Sequence, residues 1–271
     1  MRLINRHPGR GGRLLLALLP LVLLLLVYAV ASAMRLAENP GDRLLPSIGQ
    51  MANAVKQMAF TEDEGTGEYL MWSDTAASLK RLAFGLGLAA LVGLCLGISA
   101  GSFPMLSATL SPLLAMMSMI PPLAVMPILF IVFGLDELFK VMLIVIGVTP
   151  LLARDLEQCA REMPQEVIVK AQTLGANSWT IVLRVILPQL LSRLLVSLRL
   201  MVGAAWLFLI SAEAMSATAG LGYRIFLLRR YMAMDVILPY VLWITLLAWL
   251  MDYALRQLNR WWFPWSEGAK A

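Results

Sequence analysis

Six uncharged or nearly uncharged runs alternate with polar interludes along this chain, at about residues 14–34, 83–101, 104–127, 141–153, 190–211 and 236–253. Each reads as a helix crossing hydrocarbon, because a bilayer offers backbone amides no partner and a helix satisfies them within the segment. Leucines dominate the first run, and at about −0.5 kcal/mol for each central Leu they supply roughly −5 kcal/mol for insertion, enough to outweigh Pro20. A cleaved signal peptide is the alternative, since Ala31-Ser32-Ala33 resembles a cleavage site. The run is longer than a signal core and further spans follow, which favours a retained helix.

Charge places the ends and loops. Arg2, Arg6, Arg10 and Arg13 precede the first run with no acid among them, putting the N-terminus inside. Residues 36–78 hold Glu38, Asp42, Glu62, Asp63, Glu64, Glu68 and Asp74 against few bases, as suits an outside segment. Within it, Pro46-Ser47 can start a short helix whose Ile48, Met51, Val55 and Met58 share a face. The TEDEGTG run from Thr61 reads as a solvated turn; a calcium loop would need alternating ligands that it lacks. Lys80 and Arg81, at the outer edge of the second run, oppose the rule, and the other loops outvote them. Arg256 and Arg260 mark an inside C-terminus, with Trp261, Trp262 and Trp265 as an interfacial anchor. The expected architecture is therefore an all-α polytopic membrane protein with six transmembrane helices and both termini cytoplasmic. It divides into a tail and first helix (residues 1–35), a periplasmic segment (36–78), a five-helix core (79–260) with a cytoplasmic loop at 155–188, and a tail (261–271).

Several residues inside the runs stand out. Gly93, Gly97 and Gly101 lie four apart on one helix face, a spacing that lets a second helix approach closely, although membrane helices are rich in glycine anyway. Pro121, Pro122 and Pro127 break the third run in mid-membrane, and broken backbone is tolerated there only beside protein or a water-filled cavity. Ser118 to Pro127 is accordingly a candidate lining of a translocation path, with a kinked packing helix as the alternative. Arg199 and Glu213, at a cost of about 2.5 to 3.5 kcal/mol for a charge in mid-bilayer, must face protein, a cavity or the interface. They are candidates for the same path, or for a structural ion pair.

The loop at 155–188 has its own order. Pro164 can open a helix, Glu166 falls in its first turn where negative charge suits the dipole, and Val167, Ala171 and Leu174 recur on one face with Ile168 beside them. Gly175 is placed to end the helix in the left-handed conformation, Asn177 or Ser178 can cap the next, and Pro188 opens the fifth run. Taken alone, this is two amphipathic turns that can lie on a membrane surface.

Composition agrees: 60% of the residues are hydrophobic and 14% charged, with a mean hydropathy of +0.77. The net charge of +5 reads as topology signals flanking spans, so nucleic acid is not an expected partner. Cys95 and Cys159 imply no disulfide framework, and His7 is the only histidine, so no imidazole metal site is expected. The sequence holds no phosphate-binding Gly-x-x-x-x-Gly-Lys-Ser/Thr loop, and its spans carry no nucleophile-base pair and almost no mid-membrane acid. Neither enzyme nor ordinary proton-driven carrier is expected, and the loop at 155–188 is the plausible entry for energy from outside the chain.

On these residues the chain resembles the permeases of ABC importers. Ala171, Gly175, Ile186, Leu187 and Pro188 match the cytoplasmic coupling-loop pattern, in which an EAA triplet, a Gly and an apolar run ending in Leu-Pro recur. Val169 stands where the pattern has Glu, with Lys170 next to it, so the acidic contact would have to come from Glu166. Ile120, Pro121, Ala124 and Pro127, the pair Ala212-Glu213 and the turn Gly220-Leu221-Gly222-Tyr223 also match, over about residues 45–260. The nitrate, sulfonate and taurine branch is the most similar. The resemblance implies a homodimer on two cytoplasmic ATPase subunits, which bind ATP and Mg while this chain binds no cofactor, fed by a periplasmic binding protein. It assigns ATPase coupling to Glu166, Val169, Lys170, Ala171, Leu174, Gly175 and Pro188. A stand-alone channel or secondary carrier, with the loop as a mere surface element, is the alternative.

Overall fold

The computed structural model describes residues 9–39, 42–63, 65 and 67–265. Arg2, Arg6, His7, Glu64, Thr66 and the end of the C-terminal tail lie outside them, so the reading of the TEDEGTG run is only partly covered. Helices make up the regular structure among the described residues. They fall into two compact units: residues 1–69 with 228–239, and residues 70–227 with 240–271.

In the first unit, α1 (Arg10–Glu38) carries the leucine run. Its Tyr28 hydroxyl donates to the carbonyl of Pro46 at 2.7 Å and Ser32 donates to that of Leu45 at 2.9 Å, fixing the chain that leads into α2 (Ile48–Phe60). The expected start of α2 is realised as a capping box: Ser47 accepts from the Gln50 amide, and the Gln50 side chain accepts from the Ser47 amide.

The second unit is built around a helix pair. α3 (Leu70–Ser102) and α6 (Glu137–Arg161) pack along their length, because α3 presents glycines where α6 presents Cβ atoms. A Cβ at Gly93 would stand 3.1 Å from the Cβ of Leu152; at Gly97 it would be 2.6 Å from that of Leu156, and at Gly101 2.5 Å from that of Ala160. Gly85 extends the seam one contact further, against Ile144. On the other face of α6, Gly147 leaves room for the Phe208 ring of α9 (Leu187–Ser216). Close approach of this kind is the main attraction between helices in a solvent as apolar as leucine.

α3 begins at Leu70, so the boundary expected at residue 78 falls inside the helix. Asp74 counted there among the acids of an outside segment, yet it is buried against partners in the tertiary structure, as are Ser78 and Arg81. The third run breaks as its prolines require: α4 (Pro104–Met119) stops before Pro121-Pro122, and α5 (Met126–Phe133) restarts with Pro127 in its first turn. The fourth run lies within α6. Among the described residues, four helices are long and apolar enough to cross a membrane, namely Gly11–Glu38, Leu70–Ser102, Ser178–Ser216 and Met234–Trp262. The last of these is α11 (Met234–Trp262).

Candidate functional site

Between α6 and α9 the loop folds as its sequence demands. α7 (Gln165–Thr173) has Pro164 at its N-cap, one position before the site expected for it, and Glu166 in its first turn. Gly175 takes φ +81°, its amide donates to the carbonyl of Gln172 at 2.9 Å, and the Ala176 amide reaches back to the carbonyl of Ala171 at 3.0 Å. This pair of bonds is the Schellman arrangement, and the left-handed residue it needs is a glycine. The Asn177 side chain then accepts from the Thr180 amide at 2.8 Å and caps α8 (Ser178–Ile181), so the cap is Asn177 and not Ser178. A short π-helical stretch at Val182–Ile186 leads into α9, with Pro188 in the first turn of that helix. The loop is thus a stiff elbow whose two ends are chemically fixed.

No residue of α7 is buried. Ile168 and Ala171 are half-buried, whereas Val167, Val169, Leu174, Trp179 and Leu183 are exposed, with Leu174 at 88%. Glu166, Lys170 and Gly175 are exposed as well, and Pro188 is half-buried. A large apolar surface on a rigid polar-edged elbow is a docking feature when it is contiguous.

Ser118 and the proline break form a second centre. Ser118 lies in the last turn of α4, where its hydroxyl accepts from Arg154 of α6 at 2.9 Å. Pro121 and Pro127 are exposed and Pro122 half-buried. Arg154 also lines a cavity of about 660 Å3 between α4 and α6, bounded by Ser111, Ala115, Glu157 and Arg161 among others. Glu157 pairs with Arg161 at 2.6 Å and Asp155 hydrogen-bonds to Arg193 at 2.8 Å and to Ser197. Burial raises the Asp155 carboxyl, and the bonds from Arg193 and Ser197 outweigh it, leaving the group below its ordinary value. The stability this carboxylate contributes is therefore complete above its unfolded pKa of about 3.9 and is lost as pH falls through the lower folded value. Thermal melts of the solubilised protein are expected to show an acid-side decline that Asp155→Asn reduces.

Arg199 and Glu213, grouped with Ser118 by sequence, are held elsewhere and apart from each other. Arg199 pairs with Asp252 of α11 at 2.9 Å, and Asp252 also takes Arg256 at 3.0 Å. Glu213 is 0% exposed. Its carboxylate accepts from Arg81 at 2.7 Å, Ser78 at 2.8 Å and the Gly222 amide at 2.8 Å. Arg81 turns its other nitrogens to Glu137, which Lys140 also reaches at 2.7 Å. Arg81 beside it, against some burial, holds the Glu137 carboxyl down at about 2. One helix turn away, Asp74 accepts from the Gly220 amide at 2.8 Å and pairs with Arg224 at 2.8 Å. The Gly-Leu-Gly turn is thus pinned at three successive amides, since Leu221 donates to Ser78 at 2.9 Å. Gly220, at φ +134°, has no space for a Cβ against the Glu213 carboxylate and Arg81.

Sequence reasoning missed Asp74, Arg81, Glu137, Arg154 and Arg224. Two signals were available. Asp74, Ser78 and Arg81 follow helical spacing, which marks one face, and Arg81, like Lys80 beside it, stands against the charge rule.

Comparison with known proteins bears on the family and the fold. Residues 93–265 match the family model described as binding-protein-dependent transport system inner membrane component. The taurine transport system permease protein TauC of Escherichia coli is 33% identical over 210 residues, covering 78% of this chain and 76% of its own. The bicarbonate transport system permease protein CmpB of Synechococcus elongatus is 33% identical over 205 residues, 74% of this chain and 73% of its own. Among solved structures, an inward-facing form of the MetNI methionine ABC transporter superposes with a TM-score of 0.63 over 74% of this chain and 99% of its own. At 19% identity it speaks for the fold alone.

Proposed function

The chain belongs to the inner-membrane components of binding-protein-dependent transport systems, and we propose that it carries a small oxyanionic solute of the sulfonate or bicarbonate class. It is the multi-pass permease subunit of an ATP-driven importer, and ATP hydrolysis belongs to a separate subunit. Solute class follows the relatives, whose printed substrates are taurine and bicarbonate. A stand-alone channel or secondary carrier is not favoured by this membership.

Six spans leave both termini and the elbow at residues 155–188 in the cytoplasm, supported by the basic residues around the elbow and by the parity of the spans. Two copies of the chain sit on two ATPase subunits, which bind ATP and Mg, and a periplasmic binding protein delivers the solute. The elbow enters a groove of the ATPase with Leu174 and Trp179 foremost, and closure of the ATPase pair tilts α6 and α9 together. Glu166 supplies the acidic contact that Val169 cannot, one turn earlier on α7.

The observation that carries this reading is the uncovered apolar face on a chemically fixed elbow: Leu174 is 88% exposed beside a Schellman cap and an Asn cap. Leu174→Asp is expected to weaken copurification with the ATPase subunits about tenfold, equivalent to about 1.4 kcal/mol from the buried side chain. ATPase stimulation and uptake should fall in parallel. Solute uptake by the permease in vesicles lacking any ATPase would defeat the coupling role.

A further inference from the structure

We propose that Arg154, which lines the cavity between α4 and α6 and is steadied by its hydrogen bond to Ser118, forms an anion-holding subsite on the wall of the translocation path, taking one small oxyanion at a time. The inference rests on the permease reading above and deepens it to a residue.

Charge accounting around the cavity singles out Arg154. The two carboxylates on its wall are already neutralised, Asp155 by Arg193 and Glu157 by Arg161. Arg161 is in turn occupied by Glu157 and by the hydroxyls of Ser107 and Ser111. Among the described residues lining the cavity, Arg154 is the guanidinium whose partner is a neutral hydroxyl, that of Ser118 at 2.9 Å. One bond leaves most of its five N–H donors free, in a planar fork that matches two oxygens of a carboxylate, sulfonate or bicarbonate.

Place and size fit the same ligand. Arg154 follows directly on the apolar run at 141–153, at the edge of the loop at 155–188, and is exposed to the space between α4 and α6. The space is present, about 660 Å3, enough for a solute of a few heavy atoms with its water. Ser118 is the last polar residue of α4 before the Pro121-Pro122 break, the stretch whose irregular backbone makes it a candidate lining of the path. A focused positive potential in such a cleft raises the local concentration of anions roughly tenfold or more.

The phosphate of a lipid headgroup offers the same oxygens, and the test separates the two sources. The full transporter, permease with its ATPase subunits, is placed in vesicles of zwitterionic lipid and in vesicles with added phosphatidylglycerol. Cys95→Ala and Cys159→Ala clear the background, and Ala115→Cys puts one thiol on the cavity wall. That thiol attacks a methanethiosulfonate reagent, forming a mixed disulfide and releasing methanesulfinate. The reagent bearing a sulfonate is expected to react about tenfold faster, relative to the trimethylammonium analogue, than Arg154→Gln allows. Arg154→Lys should keep most of the preference, and taurine should slow the sulfonate reagent only where Arg154 is present. A preference unchanged by Arg154→Gln overturns the subsite. So does a preference that vanishes when phosphatidylglycerol is added, which assigns the guanidinium to lipid. Binding-protein-dependent taurine uptake is measured on the same vesicles: uptake without the preference sinks the subsite alone, whereas the preference without uptake of taurine or bicarbonate sinks the solute assignment and leaves the subsite standing.

Discussion

Replacing Arg81 by alanine is expected to destabilise the permease by about 3–5 kcal/mol, the cost of leaving a buried charge without its partner. The charge at issue is Glu213, which is 0% exposed and keeps only Ser78 and the Gly222 amide once Arg81 is gone. Glu137 loses the same partner but is 63% exposed at its side chain and retains Lys140, so its share of the loss is small. The measurement is a thermal or denaturant melt of the solubilised protein, with Arg256→Gln, at a part-exposed pair that leaves Asp252 its Arg199, as the comparison expected to cost under about 1 kcal/mol. Because Arg81 and Glu213 act as a unit, Arg81→Met combined with Glu213→Met should cost clearly less than the two single changes added together. Additive losses would show that the pair is not coupled. The consequence reaches beyond stability: these groups hold the amides of Gly220, Leu221 and Gly222, so the turn joining α9 to α10 (Leu221–Arg229) should loosen with them.

The second large effect is steric. Gly97→Leu places its Cβ 2.6 Å from the Cβ of Leu156 and 3.1 Å from the carbonyl oxygen of Ala153. Neither obstacle is the free end of a side chain, so the only relief is separation of α3 from α6, the central pair of the second unit. A loss of about 3 kcal/mol, the upper part of the range for overpacking, is expected. Gly87→Leu is the matched control on the same helix, since a Cβ there meets nothing within 4 Å. It should stay within about 0.5 kcal/mol of the parent. Equal melting of the two variants would mean that the seam is not tight, and a glycine spacing of four would lose its structural meaning in this chain.

The two effects differ in how far they were legible beforehand. Glycines at 93, 97 and 101 announce a close helix contact through spacing alone, and the spacing is what the structure uses. What spacing cannot name is the partner, because Leu152, Leu156 and Ala160 are unremarkable residues of another run. The elbow at 155–188 was legible almost to the residue: Gly175 ends one helix, Asn177 caps the next, and Pro188 stands in the first turn of α9. Caps and turns are local chemistry, settled between residues a few positions apart. Exposure of Val169 and Leu174 was not local in that sense, because it depends on which face of α7 the neighbouring helices leave uncovered.

Pairings were the part that could not be read. Arg199 carried the cost of a charge in an apolar run, which required some partner without saying which, and the structure supplies Asp252 from α11. Ser118 was marked by the proline break, and Arg154 beside it was visible only as one of several bases flanking the loop. Even Lys80 and Arg81, which looked like exceptions to the charge rule, change meaning once Arg81 is seen inside the fold, bonded to two carboxylates.

By itself, then, the amino-acid order determined where helices stop at caps and prolines, which stretches are strongly apolar, and where the rigid elbow lies. Those properties depend on hydrophobicity, backbone sterics and capping, all of which act within a helix turn or along one segment. Only the tertiary structure decided that Glu213 and Arg199 are tied into separate ion-pair clusters, that Asp74 and Ser78 belong to α3, and that Arg154 faces a cavity with a hydroxyl as its partner. The reason is physical. A buried charge needs an opposite charge at about 3 Å in space, and separations of up to 150 residues along the chain, as between Asp74 and Arg224, are closed only by helix packing.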